Sequence, residues 1–164
     1  MASNGPLLIA FDGSPASIEA VERAAGLMGE DREALILVVW EPGLLNAAVA
    51  PIPGGLGAPV PPPDIEQVQA LDKSEEDHAE RIAKEGVEIA NSHGLKAESL
   101  VARDETSVAS TILKVADEKD AAAIVIGSRR HNAIAAALLG STTEAVLHKT
   151  ARPLVVIRPS GEEA

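Results

Sequence analysis

The chain has 164 residues, of which 46% are hydrophobic and 1% aromatic, so it can bury one aliphatic core of single-domain size. Its formal net charge of −11 argues against DNA or RNA as a partner, since nucleic-acid-binding proteins gather Lys and Arg on one face. It has no cysteine, no secretory signal pattern and no apolar run near the ~20 residues that cross a bilayer, which predicts a cytoplasmic protein without disulfides, Cys-ligated metals or membrane contact.

The first part of the chain predicts a strand, a tight turn, a helix and a second strand. Leu7–Phe11 is a short apolar run typical of a buried strand, and Ser14 suits a helix N-cap with Pro15 at the first helical position. Ala34–Trp40 is again continuously apolar and predicts a parallel strand beside the first. The apolar face of the intervening helix consists of Ile18, Val21, Ala25 and Met28.

Residues 42–63 are rich in Pro, Gly and Ala and predict an insertion without helix or strand. Two interpretations remain open for this segment, namely a lid over a site beside the second strand and a solvated connector. A long helix is expected next, over Asp64–Ser92, and the His93-Gly94 pair ends it. Its inward stripe is predicted to consist of Ile65, Val68, Leu71, Ile82 and Ile89.

The remainder of the chain continues the alternation of strands and helices. The predicted elements are strand Ala97–Ala102, helix Thr106–Glu118, strand Ala121–Ile126, a last helix opened by a capping box at Ser141–Glu144, and strand Leu154–Ile157. Five strands alternating with helices predict an α/β fold over residues 1–164, a three-layer doubly wound sandwich with a five-stranded parallel sheet. Such sheets bind ligands at the carboxyl ends of the strands, where the strand order reverses.

The segment after the fourth strand has features of a phosphate site. It reads Gly127-Ser-Arg-Arg130, then nine residues, then Gly140-Ser-Thr142. A glycine at a strand end allows close approach to a ligand, free N–H groups at a helix start attract anions, and the two arginines add positive charge. The alternative is that Gly127 only ends a strand and Ser141 only caps a helix. The chain has neither a Walker A sequence nor a G-x-G-x-x-G sequence.

Several motifs, in this order, resemble the universal stress protein family along nearly the whole chain. They are Ile9–Pro15, Leu37–Val39, Ile124–Arg129, Leu138–His148 and Arg152–Ile157. The resemblance implies a Rossmann-like, adenine nucleotide α-hydrolase-like fold and a stress-linked binding or regulatory module for ATP or AMP, with Mg²⁺ as a further candidate. It also implies a homodimer formed through the edge strand Leu154–Ile157.

The same resemblance assigns roles to individual residues. Adenine would contact Ala10, Val39 and Ile126, while Asp12 would face the ribose or a metal-linked phosphate. The residues implied to hold phosphate are Gly127, Arg129, Arg130, Gly140, Ser141 and Thr142. Asp12 has an alternative role as a turn residue before Gly13.

Nucleotide-binding members of that family carry G-x-x-G-x9-G-[ST], and here Arg130 replaces the middle glycine. Arg130 either pairs with the phosphates or fills the pocket and excludes the γ-phosphate. The four histidines lack metal-ligand spacing with one another, and no catalytic residues are assigned. A weak ATPase and a dimeric interaction protein that binds no nucleotide are therefore the alternative functions.

Overall fold

The structure is a computed structural model that describes residues 4–42, 64–128 and 139–160. Five strands and four helices alternate within these residues. They are β1 (Leu7–Ala10), α1 (Pro15–Met28), β2 (Glu33–Trp40), α2 (Ile65–Ser92), β3 (Lys96–Arg103), α3 (Val108–Glu118), β4 (Ala123–Gly127), α4 (Ser141–Lys149) and β5 (Leu154–Ile157). Each strand overlaps its prediction, and the ends differ by no more than two residues.

All strand pairs are parallel, and the order across the sheet is β3-β2-β1-β4-β5. The central strand β1 pairs with β2 on one side and with β4 on the other, so the chain reverses its direction of travel across the sheet at β1. This arrangement confirms the predicted doubly wound five-stranded fold. It also brings the carboxyl ends of β1, β2 and β4 together.

Helices cover both faces of the sheet, and successive residues of each strand pack against opposite faces. Along β2, Ile36 and Val38 are buried against α1 and α2, whereas Leu37 and Val39 pack against the side that carries α3 and α4. In the described part of the chain, no helix is both long enough and apolar enough to cross a membrane.

The long helix α2 contacts the sheet through small residues, and the predicted stripe is only partly right. Val68 is buried, but Ile65 and Leu71 are 72% and 43% exposed. The buried face consists of Val68, Ala79, Ala83, Gly86 and Ala90. Small side chains let the helix axis approach the sheet, and a Cβ atom at Gly86 would lie 2.6 Å from Ile36 Cγ2. Packing distance, rather than hydrophobicity alone, therefore selects the inward face.

This contact predicts opposite effects for two glycine substitutions. Gly86→Ala should lower the free energy of unfolding by about 1–2 kcal/mol, because overpacking outweighs the gain of about 1 kcal/mol in helix propensity. Gly26→Ala in α1 is the matched control, since a Cβ there meets nothing within 4 Å, and it should stabilise the protein by up to about 1 kcal/mol. Urea unfolding measures both, and a Gly86→Ala protein as stable as Gly26→Ala would contradict the packing argument.

Ser160, three positions after β5, is hydrogen-bonded to Glu19 of α1. Glu19 Oε1 accepts hydrogen bonds from the Ser160 N–H at 3.0 Å and from the Ser160 hydroxyl at 2.6 Å, and it pairs with Arg23 at 2.7 Å. These hydrogen bonds, the one from the Ser160 hydroxyl foremost, lower the pKa of the Glu19 carboxyl below its ordinary value of 4.5.

Acid should break the hydrogen bonds between Ser160 and Glu19. Because the folded-state pKa of Glu19 is depressed, the interaction contributes to stability above pH 4.5 and is lost as the pH falls through the folded value. The measurement is an acid titration of the Ser160 amide resonance by NMR, which should follow the titration of Glu19. In Glu19→Gln the same resonance should show no such step, and an identical titration in both proteins would overturn the assignment.

Candidate functional site

A cavity of about 730 Å³ opens at the carboxyl ends of β1, β2 and β4, where the sheet order reverses. This volume is within the range of about 300–1,000 Å³ that is usual for small-molecule sites. Its lining comes from the ends of these strands, the turn after β1, the middle of α2 and the first turns of α3 and α4. The place is the one that the doubly wound fold predicts.

One wall of the cavity is aliphatic. Ala10, Val39 and Ile126, the three residues that the resemblance assigned to adenine, all line it. Val108 and Ile112 of α3 complete this wall, and sequence reasoning did not assign them to the site. The β1–β4 register places Ala10 directly beside Ile126, so sheet pairing fixes their relative position.

The turn after β1 contributes Asp12, an exposed residue that lines the cavity. Its Oδ1 accepts a hydrogen bond from the Ser14 N–H at 3.0 Å, and the next residue, Gly13, has a φ of 75°. Ser14 caps α1, with Pro15 at the start of the helix, as the sequence predicted. Asp12 therefore stabilises the turn, in agreement with its alternative interpretation, and is also placed at the cavity.

The start of α4 differs from the prediction. The N-cap residue is Gly140, which has no side chain to accept a hydrogen bond, and the Glu144 N–H bonds to the Gly140 carbonyl at 2.9 Å. Ser141 is the first helical residue, so Glu144 is one position too late to complete a capping box, and that prediction is wrong.

The open first turn of α4 faces the cavity, since Gly140, Ser141, Thr142 and Thr143 all line it. No cap side chain satisfies the N–H groups of this turn. Free N–H groups and the helix dipole give such an end a partial positive charge and an affinity for anions. The structure thus replaces the predicted cap with a feature better suited to phosphate.

Gly127 also lines the cavity, but the need for glycine there comes from helix packing. A Cβ atom at Gly127 would lie 2.3 Å from the carbonyl oxygen of Ala16 in α1. The sequence predicted a glycine that lets a ligand approach, and the structure shows a glycine that lets α1 approach β4. Arg129, Arg130 and the insertion from residue 43 onward lie outside the described residues.

The opposite wall of the cavity comes from α2, where sequence reasoning placed no site residue. Glu75, His78, Ala79 and Ile82 line it at helical spacing. No local pattern could have identified them, because only the packing of α2 on the sheet brings them to the strand ends. In contrast, Trp40 and Glu41 lie in the stretch Val39–Glu41 at the carboxyl end of the second strand, where the doubly wound fold predicts a ligand, and both line the cavity.

A small cluster positions Trp40. The Arg103 guanidinium carbon lies 5.5 Å from the centre of the Trp40 ring, and Arg103 pairs with Asp72 of α2 at 3.6 Å. A cation over an aromatic face is attracted by the ring electrons. The cluster thus joins the ends of β2 and β3 to α2. Among the described residues, no group of three or more His, Asp or Glu side chains is arranged to hold a metal ion.

The family is shown by comparison with known proteins. A family model described as the universal stress protein family matches residues 4–158. The chain belongs to the universal stress protein family. No curated protein matches the sequence significantly.

Solved structures of universal stress proteins have a similar fold. A universal stress protein from Archaeoglobus fulgidus is 25% identical with a TM-score of 0.62, over 93% of this chain and 98% of its own. A structure of the universal stress protein from the same organism in complex with dAMP is 24% identical with a TM-score of 0.56, over 96% and 99% of the two chains. A universal stress protein in complex with cAMP is 19% identical with a TM-score of 0.57, over 95% and 98%.

The open start of α4 predicts how two Gly140 variants should behave. The backbone of Gly140, at φ −57° and ψ 152°, suits any residue, and a Cβ there meets nothing within 4 Å. Gly140→Asp should supply a cap that stabilises α4 by a few tenths of a kcal/mol. Its carboxylate should also occupy the amides and repel phosphate, so if this turn holds a nucleotide phosphate, AMP binding measured by calorimetry should fall at least about tenfold.

Gly140→Ala adds the Cβ without the oxygen and should bind AMP as the unmodified protein does. Equal AMP affinity in the Asp and Ala variants would show that the α4 amides do not hold the phosphate.

Proposed function

We propose that this universal stress protein binds an adenine nucleotide, ATP or AMP, in the cavity at the carboxyl ends of β1, β2 and β4. The uncapped start of α4, which opens into a 730 Å³ cavity that also has an aliphatic wall, is the observation that carries the proposal. Bound nucleotide would make the protein a stress-linked binding or regulatory module of the cytoplasm. Two solved structures of similar fold, in complex with dAMP and with cAMP, motivate the choice of ligand.

The aliphatic wall suits the base. Adenine would lie against Ala10, Val39 and Ile126, with backbone groups at the strand ends as hydrogen-bond partners. An apolar surface with a few backbone donors and acceptors is the usual construction of a small-molecule site. Trp40 lines the cavity from the other face of the sheet, and the aliphatic contacts would remain the principal ones for the base.

The phosphate would lie on the first turn of α4. Backbone N–H groups and hydroxyls of Ser141 and Thr142 are the proposed donors, with Gly127 and Gly140 beside them. Asp12 would face the ribose, or a phosphate through Mg²⁺. Arg129 and Arg130 follow Ser128 directly in sequence, and we propose that they add positive charge to the phosphate.

A second candidate function is a homodimeric interaction protein that needs no nucleotide. Strand β5 lies at the sheet edge, where it pairs with β4 on one side and, within the described residues, with no strand on the other. An unpaired strand edge can accept a strand from another chain. We propose a dimer through Leu154–Ile157, whether or not nucleotide binds. Slow ATP hydrolysis is a weaker alternative, for which no base is assigned.

The test is a nucleotide titration of the unmodified protein and of Arg130→Gly. Trp40 is the only tryptophan in the chain and lines the cavity, so its fluorescence should report occupancy by ATP or AMP. If Arg130 pairs with phosphate, Arg130→Gly should weaken ATP binding roughly tenfold or more, the usual effect of a charge-assisted hydrogen bond.

Calorimetry on the same samples gives the affinities. Tighter ATP binding by Arg130→Gly would mean that Arg130 fills the pocket. If neither nucleotide binds to either protein, the nucleotide proposal fails and the interaction protein is favoured.

A further inference from the structure

The cavity extends across both faces of the sheet at the switch point. We call the part lined by Ala10, Val39, Ile126 and the start of α4 the α4 lobe. We call the part lined by Phe11, Trp40, Glu41 and the α2 residues the α2 lobe. Alternation along the strands separates the two, because Val39 packs toward α3 and α4 while Phe11 and Trp40 pack toward α1 and α2. The proposed nucleotide contacts use the α4 lobe and the turn after β1.

The two lobes differ in charge. The α4 lobe has the partial positive charge of an uncapped helix start. The α2 lobe has two carboxylates, Glu41 after β2 and Glu75 on α2, and Asp12 adds a third on the turn between the lobes. Of the described residues that line the cavity, none is Lys or Arg, and His78 is the only one with a basic ring.

The dimensions of the cavity let these charges act on one ligand. A volume of about 730 Å³ corresponds to a sphere about 11 Å across, which is comparable to the Debye length of about 8 Å at physiological ionic strength. The carboxylates of the α2 lobe therefore repel negative charge placed in the α4 lobe, and salt reduces the effect without removing it. One phosphate can lie on the α4 amides, but each further phosphate adds negative charge within reach of Glu41 and Glu75, the carboxylates of the α2 lobe.

We infer that Glu41 and Glu75 determine specificity, and that they select adenine nucleoside monophosphates against the triphosphate. This inference rests on the proposed function and goes beyond it, since nucleotide binding alone does not favour a particular phosphate number. Neither residue belongs to the phosphate motif, and neither needs to touch the ligand. Their contribution is electrostatic, so it depends on charge and on ionic strength rather than on shape.

The experiment compares charge-neutral variants at fixed ionic strength with EDTA present. The unmodified protein should bind AMP roughly tenfold more tightly than ATP, which is the size expected for a few partly screened charge pairs. The double variant Glu41→Gln/Glu75→Gln should reduce this ratio to about threefold or less, mainly by strengthening ATP binding. Higher salt should reduce the ratio in the unmodified protein as well.

Glu85→Gln/Glu88→Gln is the matched control. It makes the same change in net charge on exposed α2 residues that do not line the cavity, and it should leave the ratio unchanged. The inference is overturned if AMP and ATP bind equally well to the unmodified protein. It is also overturned if the two double variants change the AMP-to-ATP affinity ratio by the same amount. In either case, AMP binding still preserves the proposed function. Failure of every nucleotide to bind overturns the proposed function and this inference together.

Discussion

The parallel pairing of β1 with both β2 and β4 is the constraint on which the site depends. Because β1 lies between them, the connections from β1 and from β4 leave toward opposite faces of the sheet, which opens a crevice at their carboxyl ends. The cavity is a consequence of this crevice. Sheet register then fixes the aliphatic wall of the cavity, since Ala10 pairs with Leu37 on one side and with Ile126 on the other.

Small residues decide how closely the helices approach this sheet. Gly127 lets α1 lie against β4, and Gly86 lets α2 lie against Ile36 and Phe11. The close position of α2 also brings its middle turns to the strand ends, where they form a wall of the cavity. Packing and site geometry are therefore linked, because the contact that buries α2 also places Glu75 and His78 at the opening.

The residues that line the cavity determine which kind of ligand it can bind. The cavity combines an aliphatic wall, the uncapped start of α4 and the acidic residues of the α2 wall. This combination favours a ligand with an apolar plane and one anionic group. An adenine nucleotide has both parts. The Arg103–Trp40 contact and the Arg103–Asp72 pair connect the acidic wall to the sheet, so the position of α2 is coupled to the residues that line the cavity.

The sequence alone determined the strands, their parallel arrangement and the edge of the sheet at which a ligand would bind. Strand signals are local, because a buried parallel strand must be a continuous apolar run, and the doubly wound topology then points to the carboxyl ends of the strands. Ala10, Val39 and Ile126 at those ends were implied by the family resemblance. The capped start of α1 was predictable for the same reason, since Ser14 and Pro15 act within one turn.

Only the tertiary structure decided which residues face inward on α2, where α4 begins and why position 127 must be glycine. Each of these depends on the distance between elements far apart in sequence. The Ala16 carbonyl excludes a side chain at Gly127, Ile36 excludes one at Gly86, and the buried Thr143 and Val146 set the phase of α4. A local pattern carries no information about such distances, because they arise only when the helices pack on the sheet.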